Sequence, residues 1–539
     1  MQKFLVRRNI SWKIYYSPHN PRMSSRKIFT NTLAQIAAKV ATALISIVMI
    51  KVLTSYLDVP WYGLYSKIYN YLSIFAVIAD LGLYTIAVRE ISEHIEDRKR
   101  VEKIAANVLS LRTLMGIVII FLAVVIAFFL PWYNSSLALT GVAITGFFTL
   151  FWLMNSSLMS LLQAHLRTEF SFVATVTGKI TTFILILAVA YLFFPLVHGT
   201  LGGGLIPIFL AWLVGNMVMT AITWWYARRV VPIHFEWDTA YIRYILFASL
   251  PYGLALFLNV IFFKIDIILL SIIEPSWIAD TSIALYSVPM KIVEVGMMYG
   301  TVFLNSLLPV LTLAMKNDDM ARVRRLTGIS ALVLFFFSLG ITAFCMMFSR
   351  EIITLVASED YTVSSLWYSS VEALQIVAPI FLFYFLSSLF TYTLIAANRQ
   401  QVMLVINACI ACVNALGNIL LIPSYSFVWS AVMTLISQIL LLSITAYVAR
   451  WVLELRSIFR ELVLITLFLL CSVGATYMIL PRIPDTLFLR LSGGVTLFIF
   501  LYGVPVLWFV LRRLRLPPLS GEQLEDPSPL SRPRSSVDT

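Results

Sequence analysis

Charged residues are scarce in this 539-residue sequence, at 12% against 60% hydrophobic. Soluble domains carry about 25% charged residues, so the shortage excludes a chain folded mainly in water. Cysteines are also few. Cys345, Cys409, Cys412 and Cys471 all lie in apolar stretches. Cys409 and Cys412 have CxxC spacing, a redox or zinc cue, but no second pair, histidine or polar loop accompanies them. They read as small packing residues on one helix face. The five histidines are scattered, so neither a metal site nor a cofactor is expected. No phosphate-binding P-loop and no GxSxG string occurs, which leaves ATP-driven pumping and serine hydrolysis without support.

What the chain has is apolar length. A membrane-crossing helix needs roughly 20 apolar residues. About fourteen such stretches follow one another: 31–53, 67–88, 110–130, 137–162, 172–194, 203–226, 244–272, 283–314, 327–348, 369–397, 402–421, 427–449, 461–480 and 489–511. Little is left over for a soluble catalytic domain, and no cleavable secretory signal is evident.

The net charge of +12 does not mark a nucleic-acid partner, because the positive residues fall mainly in every second gap. Arg89, Arg98, Lys99, Arg100 and Lys103 follow span two, and Arg228, Arg229 and Arg243 follow span six. Lys316, Arg322, Arg324 and Arg325 follow span eight. The alternate gaps, such as PWYNSSL and PLVHGTL, carry few bases or none. By the positive-inside rule both termini are cytoplasmic and the protein is multi-pass in the cytoplasmic membrane. Lys51 and Lys67, flanking the first outer gap, are exceptions. All outer gaps are short, the longest running roughly from Arg350 to Trp367. A membrane glycosyltransferase, ligase or polymerase generally needs a larger outer loop, and Asp58 alone is a weak catalytic candidate.

Two stretches resemble each other. Pro60 and Trp61 lead to Gly63-Leu64-Tyr65-Ser66, and Pro275 and Trp277 lead to Ala284-Leu285-Tyr286-Ser287. Six spans separate them, an even offset that gives parallel repeats. The expected fold is an all-α polytopic membrane protein. A basic cytoplasmic extension occupies 1–30 and is expected to be disordered. One six-helix lobe covers 31–226 and a second 244–449, around a central cavity. Two further helices cover 461–511, and a disordered Pro/Ser-rich tail covers 516–539.

Several strings resemble the oligosaccharide and polysaccharide flippases of the multidrug/oligosaccharidyl-lipid/polysaccharide exporter superfamily. They are Tyr62-Gly63-Leu64-Tyr65, Ala79-Asp80-Leu81-Gly82-Leu83 with Arg89, Ile265-Asp266, Ala284-Leu285-Tyr286-Ser287 and Pro309-Val310-Leu311. Asn398-Arg399, Asn414, Asn418 and Leu421-Ile422-Pro423 complete the set. The likeness runs roughly from 24 to 450. One departure is Ser426-Phe427-Val428-Trp429-Ser430-Ala431, where the family usually has a glycine-rich GxxGAA. The resemblance implies a carrier rather than an enzyme. It would move a polyprenyl-pyrophosphate-linked oligosaccharide to the outer leaflet by alternating access, for cell-surface polysaccharide biosynthesis. The implied partners are the lipid-linked glycan, membrane lipids, and a polysaccharide polymerase or glycosyltransferases. A peptidoglycan-precursor flippase and a drug or metabolite antiporter of the same fold remain alternatives. The deepest charges are mostly lysines, which disfavours a cation-drug antiporter.

Ionisable residues inside spans are costly and by default mark a polar pathway. Lys39 and Lys179 lie in the inner halves of spans one and five, Lys264 and Lys291 in the outer halves of spans seven and eight. These four are the candidate substrate-binding residues, suited to a diphosphate; snorkelling is the alternative for Lys39 and Lys179. Asp80, Asp266 and Glu294 are candidates for ion coupling or for structural pairing. Lys291 and Glu294, at i,i+3, can pair on one helix face. Asp80 can pair with a nearby Lys or Arg. Buried amides such as Asn414 and Asn418 read first as contacts between helices.

Overall fold

The computed structural model describes residues 25–193, 204–363, 368–452, 455–482 and 486–507, and no strand occurs among them. Most of the expected basic extension and the whole of the expected tail lie outside the described residues. Thirteen described helices are long and apolar enough to cross a membrane. One of them, Gln400–Val448, has 49 residues, about 74 Å at 1.5 Å per residue, more than twice a 30 Å hydrocarbon core. It is interrupted at Ser426, whose φ of 55° and ψ of −149° are not helical. Its two arms correspond to the expected spans 402–421 and 427–449. Here the missing glycine has its physical meaning: Ser426 adopts the left-handed φ that glycine normally supplies.

The chain divides into two compact units. The first comprises the residues up to Met49 together with Tyr71–Phe257. It contains the inner part of α1 (Ser25–Tyr56), most of α2 (Val59–Asp80), then α3 (Leu83–Glu93), α4 (Arg98–Phe129), α5 (Ser136–Ala164), α6 (Thr168–Ala188) and α7 (Leu205–Ala227). It ends within α8 (Thr239–Ile273). Apolar burial drives little helix association in lipid, so close backbone approach matters more. A Cβ on Gly215 of α7 would meet Thr182 Oγ1 of α6 at 1.8 Å, which shows how tightly this pair packs. The second span, which runs over Val59–Glu93, contains a turn. Leu81 (φ 43°) and Gly82 (φ 71°) turn the chain between α2 and α3, so the Asp80-Leu81-Gly82 string is a helix break.

The linker from α7 to α8 lies along α4. Glu236 N–H donates to Ser110 Oγ at 3.0 Å and Asp238 N–H to Asn107 Oδ1 at 2.6 Å. Lys103 Nζ sits 2.6 Å from Asp238 Oδ2. These contacts hold the Asp238 carboxyl below its ordinary range, chiefly through the Lys103 hydrogen bond.

The second unit comprises Ile50–Asn70 and the residues from Leu258 onward. It includes the end of α8, then α9 (Ser276–Lys316), α10 (Met320–Met347), α11 (Ser349–Val356), α12 (Ser370–Val377), α13 (Ile380–Ala396), α14 (Gln400–Val448), α15 (Leu455–Ile479) and α16 (Leu487–Phe498). Pro289 lies inside α9 and cannot donate to the carbonyl of Leu285 one turn back. That carbonyl accepts instead from Ser370 Oγ at 2.8 Å.

Ile50–Asn70 is held in the second unit by polar and steric contacts. Lys67 is buried and reaches Asp280 Oδ1 at 3.2 Å. Lys51 Nζ donates to the carbonyls of Thr354 and Ala357 at 2.7 and 2.6 Å, the cation that a helix C-terminus favours. Both exceptions to the charge rule therefore serve packing. A Cβ on Gly63 would stand 1.6 Å from the Asp280 carbonyl oxygen, so only glycine lets α2 and α9 meet there.

Each unit repeats local chemistry of the other. Asp97 accepts from Arg100 N–H to begin α4, and Asp319 from Arg322 N–H to begin α10. Arg167 N–H returns to Leu162 O and Arg399 N–H to Leu394 O, both at 2.9 Å. Leu166 (φ 54°) and Asn398 (φ 58°) supply the left-handed residue of this Schellman-type ending. The two matching pairs fall six spans apart, as the sequence repeat predicts.

Candidate functional site

In the second unit, α8 carries Lys264 and Asp266 two residues apart, so their side chains leave the helix in different directions. Lys264 joins Glu294 of α9, and Lys291 Nζ holds the other oxygen of the same carboxylate at 2.8 Å. Lys291 also lies 5.3 Å from the centre of the Tyr69 ring, within cation–π range. Two ammonium groups thus share one carboxylate, leaving one net positive charge at membrane depth. The cluster is partly open, with side-chain exposures of 15% for Lys264 and 29% for both Lys291 and Glu294.

Asp266 is different. It is fully buried and among the described residues has no basic partner. Its Oδ2 accepts from Tyr286 Oη at 2.7 Å and from Thr434 Oγ1 at 2.5 Å, and its Oδ1 from Asn418 Nδ2 at 2.9 Å. Asn414 joins through Asn418 Nδ2, which lies 3.1 Å from Asn414 Oδ1, and donates to Ser437 Oγ at 3.2 Å. Buried polar groups usually find partners, yet Asn418 Oδ1, Ser430 Oγ and both amide atoms of Gln438 have none among the described residues. A carboxylate with three donors, no fixed cation and unpartnered oxygens nearby is suited to a proton or a small monovalent cation.

In the first unit Asp80 pairs with Arg112, and Arg112 also donates to Ser157 Oγ at 3.4 Å. Arg112 is fully buried, so Asp80 supplies the counter-charge its guanidinium needs at the end of α2. Lys179 lies 5.0 Å from the ring centre of Trp212. Lys39 is half-buried in α1, with no ion pair among the described residues. The structure therefore brings Lys264, Lys291 and Glu294 together in one unit and places Lys39 and Lys179 in the other.

Sequence reasoning singled out Asp266 but not the set of donors around it. Asn414 and Asn418 read as contacts between helices, and Tyr286 only as part of the repeat. Ser430 and Thr434, one turn apart on α14, were the available signal. Gln375 of α12 donates from Nε2 to Ser349 Oγ of α11 at 2.9 Å. Cys409 and Cys412 share a face of α14 but are exposed rather than packed, because that face points away from the bundle.

A sequence profile described as polysaccharide biosynthesis protein matches residues 28–315, more than half of the chain. The chain belongs to the polysaccharide biosynthesis protein family. No curated protein sequence matches it. Among solved structures it resembles the lipid II flippase MurJ in an inward closed conformation, with a TM-score of 0.70 at 14% identity. That match covers 90% of this chain and 100% of the other. It also resembles an inward-facing multidrug resistance MATE family transporter of the MOP superfamily, with a TM-score of 0.63 at 13% identity, covering 78% and 98%. A third is a MOP superfamily transporter from Pyrococcus furiosus, described as having reversed binding-pocket polarity (TM-score 0.53, 14% identity, 79% and 94% covered). This family member has the MurJ and MATE fold, and its thirteen described apolar helices make it a multi-pass membrane protein.

Proposed function

We propose that the protein is an alternating-access flippase for a polyprenyl-pyrophosphate-linked oligosaccharide in cell-surface polysaccharide biosynthesis. It acts in the cytoplasmic membrane with both termini inside. The observation that carries this reading is the Lys264–Glu294–Lys291 cluster, whose surplus positive charge is partly accessible at membrane depth. A diphosphate is the dianionic group that such a cluster holds well, and family membership supports a glycan attached to it. Lys39 and Lys179 are proposed as further contacts for the same head group at other stages of the cycle. Asp266 is proposed as the coupling group: a proton or small cation neutralises it, and release of that charge biases the conformational equilibrium. The lipid-linked glycan and membrane lipids are the proposed partners, with polymerase or glycosyltransferases acting before or after transport.

Depletion of the protein is expected to make prenyl-linked glycan accumulate on the inner leaflet, detected by leaflet-selective labelling. Accumulation of a peptidoglycan precursor instead would establish the alternative substrate. Absence of any lipid-linked intermediate, with altered drug accumulation, would overturn the proposal.

A further inference from the structure

Glu274 stands at the end of α8, eight residues beyond Asp266, or about 12 Å along the helix. It is 6% exposed, although Pro275, Ser276 and Trp277 immediately after it are exposed. It is therefore the last buried acid before the loop that the charge pattern places outside. Ser426 donates to Glu274 Oε1, and Ser426 Oγ lies 3.1 Å from Ser282 Oγ. Glu274 Oε2 has no partner among the described residues. Ser426 is also the residue with left-handed φ that interrupts α14, so the break aims a hydroxyl at this acid.

The same three helices connect Glu274 to Asp266. On α9, Ser282 is followed one turn on by Tyr286, which donates to Asp266. On α14, Ser426 is followed at one-turn intervals by Ser430 and Thr434, and Thr434 also donates to Asp266. Ser430, midway, is fully buried with an unpartnered hydroxyl. Of the charged groups on the helices packed around this seam, Glu372 of α12 is held by Ser369 at its own helix cap. On α8 the others are Lys264 and Asp266; on α9, Asp280 is held by Lys67 of α2, and Lys291 and Glu294 pair with each other and with Lys264. α14 contains no charged residue. Burial raises the Glu274 carboxyl above its ordinary value, with the Ser282 and Ser426 hydroxyls pulling the other way.

We infer that Glu274 is the outer proton acceptor for Asp266, loading it along the Ser426–Ser430–Thr434 file. The inference rests on the reading of Asp266 as the coupling group. In the transfer, Glu274 gives its proton to the Ser426 oxygen as Ser426 passes its own hydrogen inward. Water bonded to Ser430 bridges the one-turn steps, and Thr434 delivers its hydroxyl hydrogen to Asp266 Oδ2 while receiving another. One proton leaves Glu274, one arrives at Asp266, and each hydroxyl ends neutral.

The test is a time-resolved infrared pH-jump on the full chain in lipid vesicles, following the carboxyl band that Asp266→Asn removes. Glu274→Gln and Ser430→Ala are each expected to slow protonation of Asp266 at least tenfold without changing its final extent, and Glu274→Asp to slow it less. Glu274→Gln and Ser430→Ala both matching the parent rate would overturn this inference and leave Asp266 as the coupling group. A parent protein in which no Asp266 band titrates, or in which sodium alone governs transport, would also overturn this inference while leaving Asp266 as a cation site; ion dependence unchanged in Asp266→Asn would remove both readings.

Discussion

Tyr286 donates its phenolic hydrogen to Asp266 Oδ2 at 2.7 Å, tying α9 to α8 across a site with no fixed cation. Replacing Tyr286 with Phe is expected to lower stability by about 2 kcal/mol, the usual worth of a hydrogen bond to a charged group. Thermal unfolding in detergent measures this. Asp266→Asn is expected to fold but to make transport indifferent to the coupling ion, read as the ratio of flux with and without an ion gradient.

The lysine cluster yields a charge series. Lys264→Ala with Lys291→Ala should weaken binding of a prenyl diphosphate by at least tenfold, while Glu294→Gln should strengthen it and make it more sensitive to salt. Calorimetric titration in nanodiscs separates the two. Unchanged binding in the double variant would place the diphosphate elsewhere.

Asp80 and Arg112 form a buried pair, and breaking such a pair typically costs about 3–5 kcal/mol. Asp80→Ala is expected to lose that much in thermal stability. Asp80→Leu combined with Arg112→Met is expected to recover most of it. A double variant with unimpaired ion dependence would confirm that the pair only supports the fold.

The strap from α7 to α8 supplies a pH test. Asp238 has a depressed carboxyl, so its contribution is present above the ordinary Asp value of about 3.9 and is lost as pH falls through the folded value. The protection factors of the amides at residues 236–238, corrected for the intrinsic pH dependence of exchange, should therefore stay high at neutral pH and fall at acid pH. In Asp238→Asn they should be low throughout.

Spans, repeat and paired charges were largely legible because they follow from local sequence: apolar length, an even offset, i,i+3 spacing. Lys291–Glu294 is such a case. The Asp266 constellation was not legible, because Asn418 and Thr434 reach it from positions 152 and 168 residues away. The turn inside the second span was hidden for a different reason. Apolar periodicity continues through Leu81-Gly82 although the backbone does not.

The place of Ile50–Asn70 in the second unit bears on how this molecule is made. A polypeptide beginning at Leu258 would leave Asp280 without Lys67 and the last carbonyls of α11 without their ammonium cap. The groove that accepts Gly63 would stand empty. The carboxyl-terminal half thus awaits a segment synthesised some two hundred residues before it, and ribosomal order gives that hairpin to the membrane first. Dividing the gene at the α7–α8 linker should yield a second fragment that matures only when the first is co-produced.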